Sequence, residues 1–364
     1  MKAAVLREAR LPMAIEEVSL DAPGPDELRI RVAASGLCHS DYHFMIGDLP
    51  VPLPAVMGHE ASGVVEAVGE NVRQFKPGDR VVTCLSSFCG HCHECQTGHT
   101  HICGDKPNRP FLPGVSRMRM GGQPVFQFSG LGAFAEEMLV HQHAVTKLPD
   151  AMPLDVAALL GCGVITGVGA VSNRAKVRIG QTVAVIGCGG VGLNAIQGAR
   201  LSGASRIIAI DTNPAKLALA RQFGATDAVM GGEDAVAQVI ELTGGGVDFA
   251  FEVIGLPATA RQAVMMCRKA GAAVLIGVHK AGTELTFPAS ALFQREVQVM
   301  TSTMGSSPAQ VLIPQLAQLY LSGQLLLDEL ISQRIALADI NRGYEQMVAG
   351  EVARSIITFD GVGS

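Results

Sequence analysis

Over residues 1–150 the apolar positions come in short Val-rich bursts, at 28–34, 63–68 and 80–83, separated by Pro-Gly and similar turn signals. Runs of that length between such turns predict short strands and an irregular β-rich domain. From about residue 164 the texture becomes regular. Apolar strand segments at 182–187, 206–211, 227–230, 247–252 and 272–278 alternate with helical patterns at 194–201, 214–223, 234–242 and 258–269. Pro214 sits at a helix start and Gly224 just past its end, as helix signals require. Repeated βαβ units predict an α/β fold with a doubly wound parallel sheet. Beyond residue 305 the pattern loosens into two apolar helical runs, 310–321 and 340–348, and a closing strand at 355–359. A tail that short cannot bury a core of its own, so it is expected to fold back onto the N-terminal domain.

Composition narrows the function classes. The chain has 364 residues, 28 Lys plus Arg against 33 Asp plus Glu, and a formal net charge of −5. An acidic balance disfavours a nucleic-acid partner. Hydrophobic residues reach 48%, but the most apolar windows, 159–171 and 182–199, are broken by Gly and polar residues. Neither gives the ~20 uninterrupted residues that a bilayer span needs, so no membrane association is expected. The first residues contain no apolar secretion-signal stretch, and a cytoplasmic location is the expectation. Nine cysteines is an odd count, and four of them crowd between residues 89 and 103. In a reducing compartment that crowding favours metal over disulfides.

Three constellations carry chemistry. In Cys89-x2-Cys92-x2-Cys95-x7-Cys103, four thiolates can surround one tetrahedral zinc with no open position, which describes a structural site. The neighbouring His91, His93, His99 and His101 are read as solvated loop residues. A second set is dispersed: Cys38, His59 and Cys162. Together they offer two soft ligands and one borderline ligand, a shell that leaves one position for water or substrate, although spacing alone does not bring them together. The third is Gly187-x-Gly189-x-x-Gly192, directly after an apolar strand and opening a helix, with Gly190 and Val191 inside it and Asp211 19 residues past Gly192. Such glycines permit a tight turn and close approach of a pyrophosphate to the helix N-terminus. An acid at Asp211 accepts ribose hydroxyls and repels a 2′-phosphate, which favours NAD over NADP. Cys84, Cys188 and Cys267 are expected to be small buried apolar residues.

With these residues in view the chain resembles the zinc-dependent alcohol dehydrogenases of the medium-chain dehydrogenase/reductase superfamily over nearly its whole length. Gly58-His59-Glu60-x2-Gly63-x5-Gly69 is similar to that family's zinc signature, and the four-cysteine lobe to its structural zinc site. The resemblance implies a GroES-like catalytic domain over residues 1–163 and 303–364, with its zinc lobe at 89–103. It also implies a Rossmann NAD-binding domain over 164–302, and a cleft between them. It implies two zinc ions per subunit, the catalytic one on Cys38, His59 and Cys162, with Glu60 behind the ligands. Ser40 and His43 match the proton relay from the alcohol. Asp211 and Lys216 match adenosine-ribose contacts, Arg354 a pyrophosphate contact, and Thr166 a residue behind the nicotinamide. His39 stands where many members carry Arg against the pyrophosphate. Leu49, Leu85, Phe128 and Val278 are the expected lining, Val278 also touching the cofactor, and an apolar lining favours hydrophobic alcohols. Hydride then passes between a primary or secondary alcohol and NAD, giving aldehyde or ketone, in a homo-oligomer that is a dimer or tetramer.

Rival readings are a formaldehyde dehydrogenase acting on an adduct of glutathione or mycothiol, with Arg109, Arg117 and Arg119 as the only anionic clamp in view, and a non-catalytic nucleotide-binding protein. A zinc module for nucleic acid is disfavoured by the scarcity of Lys and Arg in the cysteine lobe.

Overall fold

The computed structural model describes residues 1–107 and 116–362, so Arg109 lies outside the described residues. Contacts divide the chain into two units, Met1–Cys162 with Pro308–Ser364, and Gly163–Ser307.

In the first unit the organising element is the strand Glu27–Gly36. Its early residues alternate, with Leu28, Ile30 and Val32 fully buried and Arg31 turned outward, and it becomes buried throughout towards Gly36. It pairs antiparallel with Glu60–Val68, Glu137–His141 and Arg354–Thr358 within a seven-stranded sheet. The last of these strands comes from the chain's tail, which is thereby stitched into the N-terminal sheet. At the register point Gly36 the strand stands opposite Glu60 on one side and Ile356 on the other. A Cβ at Gly36 would lie 2.4 Å from Glu60 Oε2, so only glycine lets a buried carboxylate sit against this strand end. A six-stranded sheet built around Lys2–Leu6 closes the second core of this unit.

The second unit is the doubly wound sheet expected. Six strands, Asp227–Met230, Arg206–Asp211, Thr182–Ile186, Val247–Glu252, Cys267–Leu275 and Gln298–Thr301, lie in that order and pair in parallel throughout. The helices Gly190–Leu201, Pro214–Gln222, Ala235–Thr243 and Pro257–Met266 are the crossovers. Val183, Ala184 and Val185 have no exposure, as a strand covered on both faces demands. Local chemistry sets the helix ends: Asn213 accepts from the Ala215 N–H at 2.9 Å, Pro214 follows it, and Gly224 turns the chain at φ +114°.

Two expectations need correction. The helix expected to reach residue 269 ends at Met266, because Cys267 already pairs with Val247 in the sheet, and the strand runs 267–275 rather than 272–278. Buried residues at 260, 263, 264, 266 and 267 fall on helical spacing, which disguises the change of backbone. The strand stops early because Gly277 turns against Gly255, where a Cβ would stand 2.0 Å from the Gly255 nitrogen. The helix expected at 194–201 begins instead at Gly190, inside the glycine motif. Among the described residues no single helix is long and apolar enough to cross a membrane.

The motif's glycines do different work. A Cβ at Gly192 would lie 1.8 Å from the Gly187 carbonyl oxygen, whereas at Gly189 it would meet nothing within 4 Å. Gly192→Ala is therefore expected to lower the unfolding midpoint of the purified protein by roughly 5 °C or more, and Gly189→Ala to leave it within about 2 °C. Equal midpoints in a thermal scan would refute this division of labour.

Candidate metal and dinucleotide sites

Three separate segments of the first unit converge on one buried corner. Cys38 is the N-cap of the helix His39–Met45, held extended at φ −125°. His59 immediately precedes the strand Glu60–Val68, after Gly58, which has φ +89° and where a Cβ would lie 2.6 Å from the Phe134 ring. Cys162 follows a turn of helix brought close by Gly161, where a Cβ would lie 2.1 Å from the Thr83 carbonyl. Ligand atoms of Cys38, His59, Glu60 and Cys162 all lie within 4.8 Å of one another, and all four residues are buried. His59 Nε2 stands 3.2 Å from Cys162 Sγ.

Behind them is a residue that the sequence did not single out. Asp41 has no exposure, and its Oδ1 faces His59 Nδ1 at 3.0 Å and accepts from the Gly58 N–H at 3.1 Å. An Asp in the first turn of a helix ordinarily favours the N-terminal dipole from the surface, so nothing in its sequence context marks it as buried. The Asp–His pair commits Nδ1 and leaves Nε2 to the sulfurs, an outer partner of the kind that orients metal-ligating imidazoles. On the other side Arg354 is buried, not solvated. It gives Glu60 Oε1 an ion pair at 2.7 Å and the Leu37 carbonyl a hydrogen bond at 3.0 Å. Glu60 Oε2 is buried without a partner among the described residues.

Electrostatics follow from this crowding. The Cys162 thiol holds the Cys38 pKa well below the usual thiol value against desolvation, with His59 assisting. Cys162 is pushed up correspondingly by Cys38 and by burial. Burial presses on His59, yet Asp41 carries its pKa well above the ordinary imidazole value. Burial lifts Glu60 to about 7, with Arg354 opposing. Two thiols and an oriented imidazole, excluded from water, form a soft-to-borderline donor set that fits zinc, and a divalent cation would displace the protons these groups now share.

The second cluster is Cys89, Cys92, Cys95 and Cys103, again within 4.8 Å of one another. Sulfur pairs stand at 3.4 Å (Cys92 and Cys95), 3.7 Å (Cys92 and Cys103) and 3.9 Å (Cys89 and Cys95). Slight desolvation opposes ionisation of Cys89, but N–H groups of His91 and Cys92 draw its thiol down to about 6. Four sulfurs with amide donors fit a closed zinc site. His101, read as solvated, is in fact buried, while His91, His93 and His99 are exposed.

In the second unit, Gly187, at φ +100°, makes the turn after Thr182–Ile186, and Gly189 caps the helix that contains Gly190, Val191 and Gly192. Asp211 ends the next strand. Its Oδ2 accepts from the Cys188 N–H at 2.8 Å and its Oδ1 from the Asn213 N–H at 2.9 Å, which fixes the carboxylate beside the glycine turn. Cys188 itself is buried. Lys216 is half-buried on the following helix, Thr166 is buried with its hydroxyl 3.8 Å from Met304 Sδ, and Val278 is 42% exposed. In the first unit His39 is exposed, Ser40 half-buried, and His43 Nδ1 faces Asp48 Oδ2 at 3.4 Å.

Known proteins supply the context. Residues 24–150 match the alcohol dehydrogenase GroES-like domain, and residues 190–321 the zinc-binding dehydrogenase domain. The chain is 38% identical to an alcohol dehydrogenase class-3 of rice (Oryza sativa subsp. japonica), over 99% of this chain and 97% of that one. Among solved structures, an alcohol dehydrogenase zinc-binding domain protein from Burkholderia ambifaria superposes with a TM-score of 0.94 at 39% identity, covering 98% of both chains. Benzyl alcohol dehydrogenase from Acinetobacter calcoaceticus superposes with a TM-score of 0.94 at 32% identity, covering 98% of this chain and 99% of that one.

Substitution of Cys92 by Ser is expected to lower the unfolding midpoint by roughly 5–10 °C, because a closed zinc site contributes folding energy directly. An unchanged midpoint by calorimetry would remove the structural role from this lobe.

Proposed function

The chain belongs to the zinc-dependent alcohol dehydrogenases of the medium-chain dehydrogenase/reductase superfamily, and on that premise we propose that it transfers hydride between a hydrophobic alcohol and NAD. The observation that carries this reading is the convergence of Cys38, His59 and Cys162 in one buried corner, as ligands for a catalytic zinc. Cys89, Cys92, Cys95 and Cys103 hold a second, structural zinc. When bound, the catalytic zinc supplies a Lewis acid that makes the alcohol a stronger acid, and NAD supplies the hydride acceptor.

The chain's own residues do the rest. Asp41 fixes the His59 tautomer through Nδ1. Arg354 holds Glu60 behind the ligands, and losing either partner would strand a buried charge at a cost of about 3–5 kcal/mol. Ser40 Oγ would accept the alcohol proton as it gives up its own, and His43, facing Asp48 through Nδ1, would receive that proton by way of the nicotinamide ribose when NAD is bound, for delivery to solvent. Phe128 is buried with its ring 6.0 Å from His59 and 4.8 Å from Phe44, and half-buried Leu49 and Leu85 extend the apolar surface that selects hydrophobic alcohols.

Gly187, Gly189, Gly190, Val191 and Gly192 cradle the NAD pyrophosphate at the helix N-terminus, Asp211 and Lys216 take the adenosine ribose, and Thr166 and Val278 the nicotinamide. Arg354, which the family resemblance places at the pyrophosphate, is buried and committed to Glu60 and the Leu37 carbonyl, so that role is not carried over to it, while exposed His39 keeps the expected pyrophosphate role. Because two backbone N–H groups fix Asp211, its charge stands ready to repel a 2′-phosphate. The catalytic domain spans residues 1–163 and 303–364, and the NAD domain 164–302. Assembly is as a homo-oligomer: the outer edge of Gln298–Thr301 is unpaired among the described strands and Phe293, near it in sequence, is 88% exposed. A reducing, cytoplasmic compartment would keep the cysteines of the two clusters available to metal.

The thiol-adduct alternative needs cationic side chains that clamp an anionic adduct. Arg117 pairs with Asp21 and Glu27, and Arg119 with Asp21, while Arg109 lies outside the described residues, so the two readings are separated by assay. The deciding experiment is NADH formation with aliphatic, benzylic and terpenoid alcohols beside formaldehyde with and without glutathione or mycothiol. Turnover of free alcohols supports the reading, and turnover only of formaldehyde with a thiol overturns it.

Cys38→Ser is expected to lower turnover about 1,000-fold while NADH binding, followed by fluorescence, changes less than about threefold. Near-normal turnover would refute the catalytic-zinc assignment. Asp211→Gly should move the NAD to NADP preference in kcat/KM by about tenfold or more towards NADP, and an unchanged ratio would take that role from Asp211.

A further inference from the structure

Beneath the metal corner lies a tyrosine that this mechanism does not use. Tyr344 belongs to the helix Ile340–Val348, which packs close because its Gly343 has no side chain: a Cβ there would lie 2.8 Å from both Leu37 Cδ2 and Ile335 Cδ1. The Tyr344 ring is 3% exposed, stacked on Tyr42 at 6.3 Å and edge-on to Phe134 at 6.2 Å. Packing accounts for the ring but not for its hydroxyl. That oxygen is buried with no hydrogen-bond partner among the described residues, and it stands beside the Cys38 backbone N–H in the field of Asp41, Cys38 and Glu60. Burying a hydroxyl whose proton finds no acceptor is unfavourable, and phenylalanine would avoid that loss.

A second buried atom of the same corner is also without a partner. Asp41 Oδ1 is spent on the Gly58 N–H and His59 Nδ1, while Oδ2 accepts from nothing among the described residues. One orphan is a donor and the other an acceptor.

We propose that Tyr344 is a positioning residue of the Cys38, His59 and Cys162 centre, its hydroxyl donating to Asp41 Oδ2 through one ordered water. The inference rests on the metal-centre reading above. With Oδ1 given to His59 and Oδ2 to Tyr344, the Asp41 carboxylate cannot rotate, and His59 Nε2 is presented to the metal at a fixed angle.

The test exchanges the centre to Co(II) in the full-length wild type, Tyr344→Phe, Asp41→Asn and the double variant. Visible absorption and chelator competition read the centre, and a thermal scan reads the fold. Tyr344→Phe is expected to weaken Co(II) about tenfold and shift its visible bands, with little further loss when Asp41→Asn is already present. An affinity and spectrum equal to wild type, a change in melting alone, or a full additional loss in the Asp41→Asn background would each overturn the role. If wild type takes up no Co(II) that Cys38→Ser abolishes, the metal-centre reading fails, and this proposal with it.

Discussion

The rest of the first unit depends on how it buries charge. Asp41, His59 and Glu60 have no exposure, Arg354 has 6%, and two thiols share their corner. Ionised groups removed from water are costly unless each finds a partner. Asp41 is matched with His59, and Glu60 with Arg354. The thiols of Cys38 and Cys162 have no such partner: Cys162 holds the Cys38 pKa well below the usual thiol value, and Cys38 and burial push that of Cys162 up. A divalent cation placed among two thiolates and the free nitrogen of the imidazole resolves that imbalance, which is why the donor set and its surroundings point to zinc more firmly than any one residue does.

The backbone is arranged to make that corner possible. Gly36, Gly58 and Gly161 each stand where a Cβ would strike a neighbour, so the chain can bring a strand end, a turn and a helix end together without side chains in between. The tail strand Arg354–Thr358 pairs with Glu27–Gly36 and delivers Arg354 to Glu60, so the last part of the sequence completes a site begun by Cys38. In the second unit the same economy recurs. Gly192 packs on Gly187, while Gly189 keeps its surroundings open, where the phosphate of the proposed dinucleotide would come near the helix N-terminus.

The doubly wound sheet was legible because strand and helix periods alternate with little ambiguity between residues 182 and 275. It blurred where residues 260–267 kept helical spacing into a strand, where the first crossover helix begins at Gly190 inside the glycine motif, and at the sixth strand, Gln298–Thr301, which the pattern did not single out. The four-cysteine lobe is also local, and its spacing alone suggests a tetrahedral set. The dispersed ligands are different in kind: their residue types can be read, but their meeting depends on tertiary packing. Asp41 and Tyr344 were not legible at all, since an Asp in a helix's first turn and a Tyr in an amphipathic helix are ordinary until their burial and unpaired atoms are seen. Arg354 carries a similar lesson, because a charged residue opening a short strand looks solvated in sequence and is buried in the fold.

The most direct test of the account is zinc K-edge X-ray absorption on the purified protein with its metal content measured in the same sample. One closed four-sulfur site and one site with two sulfurs and an imidazole predict two zinc ions per chain, averaging about three sulfur and one nitrogen or oxygen neighbour each. A zinc-replete sample whose neighbours are mainly oxygen and nitrogen, or a folded and active protein holding no metal, would contradict it.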